Sequence, residues 1–435
     1  MHESQSYDLL ITGGKIATMD DQHRIIDGGS IAISGNTIQK IYAPANFPKE
    51  IKASRVINAN NKVIIPGLIN AHSHIAMTLF RGFVEDLALH KWLEKVWKYE
   101  LSALDENSIR VGSKLAFAEM IRSGVTCVHD MYWHYMATID LAEEVGFRLL
   151  SGPSFTSIGN PDFDETISNT RKALDQIMGY RFVEPIIQAH STYTTNPEMM
   201  HKVREFKQAY GVTFTTHASE NQAEVNDVRK QYGKTPIELL QSYDLLDDRT
   251  ILAHCVKVQD HEIAMLSKSK TNVVHCPECN LKLGSGIAPI ASMMEAGINV
   301  CIGTDGAASN NDLDLWGEVR TAALLQKGIT ENPEALTTRQ AMEMATTNGA
   351  KAYGLDQKLG SLEEGKRADL VIIDFDKSHL TPCHDVYAHL VYSVNKADVD
   401  SVVIDGVIHL DGGELTTLDE DAIKAEARQI GEKFV

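Results

Sequence analysis

Apolar residues in the middle of the chain alternate between short continuous runs and longer stretches with helical spacing. Several intervals between the runs are amphipathic, as at 107–123 and 197–210. Eight strand-like runs separated by such helices predict an α/β fold, a (β/α)8 barrel of the TIM type. A doubly wound open sheet shares the alternation, but it usually carries a glycine-rich phosphate turn after its first strand, and 66–74 (PGLINAHSH) is not such a turn. The runs are 63–70, 125–131, 148–153, 185–189, 212–216, 250–253, 272–275 and 300–303.

The two ends of the chain show a different pattern, in which short alternating runs are separated by Gly, Asn and Asp. One example is 30–34 before Gly35, and another is 399–409, with Asp-Gly at 405–406. Both patterns are typical of hairpins. We therefore predict that the two ends form one small β-sandwich around the barrel. The predicted segments are 1–62 for its N-terminal part, 63–366 for the catalytic barrel, and 367–435 for its C-terminal part with a terminal helix.

The charge balance narrows the function classes. The 435 residues include 41 Lys and Arg against 59 Asp and Glu, a net charge of −18. This balance argues against general nucleic-acid binding and against docking on anionic membranes. No run approaches the ~18 apolar residues of a membrane span, and residues 1–8 are too polar for a signal peptide. We expect a cytoplasmic protein that acts on a small molecule, with its six cysteines free.

Side chains that can bind a metal follow six of the eight apolar runs. Chemistry in a barrel takes place where its strands end, at their carboxyl face. His72 and His74 share one side of the first strand because side chains repeat every two residues. A single histidine at such a place is more often a hydrogen-bonded core residue, but the joint pattern predicts a divalent metal site. The other five strand ends carry His190, His217, His254, His275 and Asp305.

The residue types suggest which side chains bind the metal and which transfer protons. His72, His74 and His217 are the nitrogen ligands we expect, with Asp305 as the fourth ligand. We also expect Asp305 to be catalytic, because its carboxylate can accept a proton from the bound water. A metal lowers the pKa of bound water to about 7, so a proton-transfer group is needed close by. Two candidates for that role are Glu220, three residues after His217, and His254, at the next strand end.

These segments resemble the amidohydrolase superfamily, and within it the aminohydrolases of amino-substituted nitrogen heterocycles. The resemblance covers essentially the whole chain and is strongest to the 5′-methylthioadenosine/S-adenosylhomocysteine deaminases. Its motifs are 66–74 (PGLINAHSH), 77–82 (MTLFRG), 217–220 (HASE), 252–255 (LAHC), 280–289 (NLKLGSGIAP) and 303–305 (GTD).

The resemblance implies further roles. Glu100 matches a ligand of the ribose hydroxyls, His190 matches a substrate-binding histidine, and Arg148 falls near an arginine that contacts the substrate. It also implies that Glu220 handles the ring-nitrogen proton and contacts the substrate, and that His254 polarises the attacking water. The chain departs from the family pattern at 151–155, at Cys276 and at Cys279.

The implied activity is hydrolytic deamination at the 6-amino carbon of an adenosine thioether or of adenosine, releasing ammonia. Superfamily members with two metals usually bridge them with a lysine that ends the fourth strand. The corresponding segment 184–190 (EPIIQAH) has no lysine, which favours one Zn²⁺, with Fe²⁺ or Mn²⁺ also suited to the ligands. Deamination or dechlorination of another heterocycle, such as a triazine, guanine or a pterin-like ring, stays open. A non-catalytic scaffold is a remote alternative, and a homo-oligomer is expected.

Two features near the site carry more than one interpretation. The Cys-x-x-Cys at 276–279 fits two inert thiols better than a redox pair, and no second ligand pair supports a structural zinc. Trp92 and Trp97 lie at helical spacing near Glu100, where packing and contact with a purine face are both reasonable.

Overall fold

The computed structural model describes residues 6–434. Residues 1–5, which belong to the polar N-terminal segment 1–8, lie outside the described residues. Strands occupy β1 Ser6–Ala17, β2 Ile25–Ser34, β3 Thr37–Tyr42, β4 Lys52–Asn58, β5 Lys62–Pro66, β6 Leu68–His74, β7 Val125–Asp130, β8 Arg148–Ser151, β9 Ser154–Phe155, β10 Val183–Ser191, β11 Thr213–Ala218, β12 Thr250–His254, β13 Asn272–His275, β14 Val300–Ile302, β15 Asp305–Gly306, β16 Leu370–Asp374, β17 Val399–Ile404, β18 Val407–Asp411 and β19 Glu414–Leu415.

The α-helices alternate with the strands of the middle segment, as the periodicity predicts. None of the described helices is long and apolar enough to cross a membrane. The helices are α1 Leu89–Ala103, α2 Glu106–Ser123, α3 Tyr135–Val145, α4 Phe163–Ile177, α5 Pro197–Tyr210, α6 Gln222–Tyr232, α7 Pro236–Ser242, α8 Asp260–Ser269, α9 Pro277–Lys282, α10 Ile290–Glu295, α11 Leu315–Thr330, α12 Thr338–Met344, α13 Thr347–Ala352, α14 Val386–Tyr392 and α15 Glu420–Gly431.

The central strands form a curled parallel sheet in the order β14-β13-β12-β11-β10-β8-β7-β6-β15, with β9 beside β10. Seven of the eight predicted runs are strands of this sheet. The first run, 63–70, is two strands separated by Gly67, of which only β6 belongs here. The strands read as continuous apolar runs because both faces of the sheet are buried.

The strands from the two ends of the chain form one separate sheet. Its order is β19-β18-β17-β16-β5-β1-β2-β3, with β4 paired to β1. The antiparallel pairing of β16 with β5 confirms that the two ends meet. Hydrogen bonds connect all nine strands, and strands that are far apart in this order share one buried core, as Ile31 of β2 does with Val403 of β17. The two-layered sandwich stays a prediction. One face packs on the central unit, where Val63 and Val371 share a core with Phe117 of α2. The predicted limits of the three segments stay a prediction.

Arg148 joins the two sheets and does not reach the carboxyl ends of the parallel strands. Its Nε and Nη2 donate to the Asp369 carboxylate at 2.6 and 2.9 Å, and Nη2 also donates to Asp405. Asp369 precedes β16 and Asp405 follows β17, so both belong to the terminal sheet. Arg148 is the first residue of β8, and first residues lie at the amino edge of a parallel sheet. The expectation that Arg148 contacts a substrate is therefore wrong.

Replacing Arg148 with alanine should lower the free energy of unfolding by about 3 kcal/mol, because Asp369 and Asp405 stay buried without this partner. Arg181→Ala is a matched control. Its side chain contacts the same Asp405 but is 59% exposed, so we expect a loss below about 1 kcal/mol. Urea denaturation measures both, and equal losses for the two variants would contradict a central role for Arg148.

Candidate active site

The carboxyl ends of the parallel strands bring five of the predicted residues together. His72 and His74 lie at the end of β6, His217 is the penultimate residue of β11, and His254 is the last residue of β12. Asp305 begins β15, which pairs with β6 beside Ser73. His254 and Asp305 both have left-handed backbone, with φ of 73° and 59°. Non-glycine residues adopt this conformation at a cost, and such residues cluster at functional sites.

Three imidazole nitrogens and one carboxylate oxygen converge on a common point. Nε2 of His217 lies 3.1 Å from Nε2 of His72 and 3.3 Å from Nε2 of His74. Oδ1 of Asp305 lies 3.4 Å from Nε2 of His72 and 3.1 Å from Nε2 of His74. Three nitrogens this close to each other and to one carboxylate are the donor set that a transition metal favours.

The surrounding groups orient these donors. Nδ1 of His74 donates to the carbonyl of Met131, and Nδ1 of His217 donates to the carbonyl of His190. These contacts place the proton on Nδ1 and leave the Nε2 lone pair for a metal. Oδ2 of Asp305 accepts from Sγ of Cys279 at 2.7 Å and from Oγ of Ser309 at 2.8 Å. Oδ1 of Asp305 is buried and accepts no hydrogen bond from the described residues, so the site fits a cation there.

His254 is close enough to form a second possible ligand set. One atom each from His72, His217, His254 and Asp305 lie within 4.8 Å of one another. In the set that contains His74, four of the six distances between members are 3.1 to 3.4 Å. We favour that set for this reason.

Glu220 and His254 face each other beside the converging donors. Oε2 of Glu220 lies 3.9 Å from Nε2 of His254. Burial raises the pKa of Glu220 to about 8, and the Asp305 carboxylate adds to the rise. Nδ1 of His254 donates to Oδ1 of Asn280 at 2.9 Å, and burial lowers the pKa of His254. At neutral pH the pair therefore contains a protonated carboxyl group and a neutral imidazole.

A cavity opens above this floor and extends to Glu100. The carboxylate of Glu100 is buried and accepts from the hydroxyl of Tyr132 at 2.5 Å and from Nε1 of Trp133 at 3.0 Å. Burial raises its pKa. Trp92 and Trp97 of α1 both line the cavity, so each of them packs in the fold and also faces the space that a ligand would occupy.

His190 also lines the cavity. Its Nδ1 contacts Oγ1 of Thr194 at 2.8 Å, and burial lowers its pKa to about 3, so its ring is neutral.

The structure thus brings together all the predicted site residues except Arg148. Several partners were not predicted, notably Tyr132, Trp133 and Asn280. Their signal in the sequence is weak because each acts through a contact between distant segments.

The two cysteines near the site are buried and free. Burial raises the pKa of both thiols, and the Asp305 carboxylate adds to the rise. A buried thiol with a raised pKa is a poor nucleophile. This agrees with the interpretation of Cys276 and Cys279 as unreactive groups, while Cys279 also supports Asp305.

Comparison with known proteins defines the class. Residues 63–409 match the amidohydrolase family, and the chain belongs to that family. It is 43% identical over 408 residues to a 5-methylthioadenosine/S-adenosylhomocysteine deaminase of Moorella thermoacetica, covering 92% of this chain and 94% of that protein. It is 39% identical to a 5′-deoxyadenosine deaminase of Methanosarcina acetivorans, covering 98% of each chain. An adenosine deaminase of Xanthomonas campestris with bound zinc has the same fold, with a TM-score of 0.96, 33% identity and 99% of each chain covered.

The two possible ligand sets make different predictions for metal binding. His74→Ala should weaken zinc binding by at least about 100-fold, because it removes a ligand, whereas His254→Ala should change it by less than about 3-fold. Competition with a chromophoric chelator, checked by elemental analysis, measures both. Strong zinc binding by the His74 variant and weak binding by the His254 variant would reverse the assignment.

Proposed function

We propose that this protein is a metal-dependent hydrolytic deaminase that removes the 6-amino group of adenosine or of a 5′-substituted adenosine. The observation that carries the proposal is the convergence of three Nε2 atoms and Asp305 on the floor of a cavity that also holds Glu220, His254 and Glu100. The names of the relatives support the same chemistry. A scaffold without activity is disfavoured because the proposed ligands and both proton-transfer groups are present.

The proposed ligands are His72, His74, His217 and Asp305, holding one Zn²⁺, although Fe²⁺ or Mn²⁺ would also suit them. Such a metal, when bound, lowers the pKa of water to about 7 and so supplies a nucleophile at neutral pH. The segment of β10 from its second residue, Glu184, to His190 near its end contains no lysine. This supports a single ion, since no lysine is available there to bridge two.

Glu220 and His254 would divide the proton transfers between them. Glu220 is protonated at neutral pH and can donate to the ring nitrogen next to the amino-bearing carbon. With its proton held on Nδ1 by Asn280, His254 presents the Nε2 lone pair to accept a proton from the attacking water. The water oxygen bonds to C6 and the bond from C6 to the amino nitrogen breaks. The ring nitrogen keeps the proton from Glu220. Of the two water protons, one completes the departing ammonia and the other returns Glu220 to its protonated form.

Glu100 favours a nucleoside over a free base. Tyr132 and Trp133 occupy one acceptor position on each of its oxygens, and the remaining lone pairs can accept from two ribose hydroxyls. The rings of Trp92 and Trp97 offer flat apolar walls for a purine. A triazine would use the same floor but would leave Glu100, a buried carboxylate, without a partner from the substrate.

The 5′ substituent that fits best is uncharged. Among the described residues, those that line the cavity include no lysine or arginine, and Arg148 is held by Asp369 and Asp405. Lys282, next to the lining residue Leu283, contacts Glu85 at 2.9 Å. The 5′ ends of methylthioadenosine and of 5′-deoxyadenosine are apolar, so their burial against the apolar walls is favourable. The carboxylate of S-adenosylhomocysteine would have no cation to pair with on these walls.

The remaining parts of the proposal concern architecture and setting. Because β15 follows β14 after two residues and pairs with β6, we propose that the parallel sheet closes into an eight-stranded barrel. The cytoplasmic location and the homo-oligomer stay predictions.

Ammonia release by the zinc-loaded protein, followed together with ultraviolet absorbance, tests the proposal. We expect deamination of adenosine, 5′-deoxyadenosine and methylthioadenosine, with kcat/KM at least about 10-fold lower for S-adenosylhomocysteine and at least about 100-fold lower for adenine. Activity confined to guanine, free adenine or an aminotriazine or chlorotriazine would contradict the nucleoside assignment. No turnover of any of these by protein that holds zinc would contradict the activity itself.

A further inference from the structure

The carboxylate of Glu224 lies behind Glu220 and contacts the backbone that carries it. Oε2 of Glu224 accepts from the amide of Glu220 at 2.7 Å. Oε1 accepts from the amide of Ser219 at 3.1 Å and from the hydroxyl of Thr192 at 3.2 Å. Glu224 is 5% exposed, and it is not among the described residues that line the cavity. It therefore acts on the turn and not on the ligand.

The position of Glu224 in its helix is ordinary, but its hydrogen bonds are not. Glu224 is the third residue of α6, and its amide donates to the side chain of the capping residue Asn221. A glutamate at this position normally accepts from the amide of its own capping residue. Glu262 of α8 does so with Gln259 at 2.7 Å. Glu224 instead accepts from the amides of Glu220 and Ser219, which lie one and two residues before the capping residue.

The turn that Glu224 contacts needs such support. Ser219 has left-handed backbone with φ of 52°, which is costly for a residue other than glycine. Thr192 follows β10, so one carboxylate connects the loops after β10 and β11. Burying a carboxylate is costly unless it is hydrogen-bonded. Three donors, two of them backbone amides, offset that cost here.

We infer that Glu224 is a positioning residue, which holds the turn at Ser219 and Glu220 so that the Glu220 carboxyl group faces His254 and the cavity. The inference rests on the proposed function, because proton transfer by Glu220 is part of it. Without Glu224 the metal ligands stay in place, but the turn is free to relax. The loss should therefore fall on kcat more than on KM.

The test compares Glu224→Ala and Glu224→Gln with the matched pair Glu262→Ala and Glu262→Gln. Glu224→Ala should lower kcat for adenosine by about 100-fold with KM changed by less than about 3-fold and zinc content unchanged. Glu224→Gln should lose about 10-fold, because its amide oxygen can accept one N–H while its NH2 group faces the other. The Glu262 variants should lower Tm but leave kcat per bound zinc unchanged.

Amide hydrogen exchange supplies a readout that does not depend on activity. Exchange in the peptide that spans 217–222 should be at least about 10-fold faster in Glu224→Ala than in the wild type, and unchanged in Glu262→Ala. If the wild type releases no ammonia but this difference is present, the proposed function fails while the structural part of the inference holds.

Three results would overturn the inference. The first is a kcat within about 2-fold of the wild type for Glu224→Ala with full zinc content. The second is an equal loss of kcat in the Glu224 and Glu262 variants, which would reduce Glu224 to ordinary helix capping. The third is unchanged exchange at 217–222. If Glu224→Ala does not fold, Glu224→Gln is judged by the same three criteria.

Discussion

Nε2 of His217 lies 3.1 Å from Nε2 of His72 and 3.3 Å from Nε2 of His74 in a buried site, and lone pairs this close need a cation between them. Much of the local structure serves this requirement. Backbone carbonyls hold the protons of His74 and His217 on Nδ1, and Cys279 and Ser309 hold one oxygen of Asp305 so that the other is free. Asp305 has left-handed backbone, and its carboxylate lies beside His72 and His74 of β6. The backbone strain at Asp305 and the buried, unpaired lone pairs of the ligand atoms cost free energy, and metal binding offsets that cost.

Around this centre the protein buries carboxyl groups that are each stabilised in a different way. Glu100 accepts from Tyr132 and Trp133 and stays available to a ligand. Glu220 has no comparable donors at its carboxyl group among residues 6–434, and burial keeps it protonated at neutral pH. Glu224 is satisfied by backbone amides. Environment, and not residue type, therefore separates the proposed binding group Glu100, the proposed proton donor Glu220 and the proposed positioning group Glu224. The described lysine and arginine side chains lie outside the cavity. Arg148, for example, lies at the junction of the two sheets.

The sequence predicts the site better than its surroundings. His72 and His74 are predicted because a period of two places them on one side of a strand, and His217, His254 and Asp305 because parallel strands end at one edge. The alternation of strands and helices likewise predicts the parallel sheet. Arg148 was assigned wrongly because its role depends on the edge at which its strand begins. Glu224 could not be predicted, since a glutamate three residues after Asn221 suggests only an ordinary cap. The pairing of nine terminal strands in one sheet depends on contacts between distant segments, which local patterns do not specify.

The central claim is that one metal, held by three histidines and Asp305, faces a purine whose ribose lies on Glu100. A crystal structure of the zinc-loaded protein with the deaminated nucleoside, phased at the zinc edge, tests it most directly. We predict one anomalous peak at about 2.0–2.2 Å from Nε2 of His72, His74 and His217 and from Oδ1 of Asp305, with the ribose hydroxyls on the Glu100 carboxylate. A second peak, a peak that His254 coordinates in place of His74, or a ribose directed away from Glu100 would contradict it.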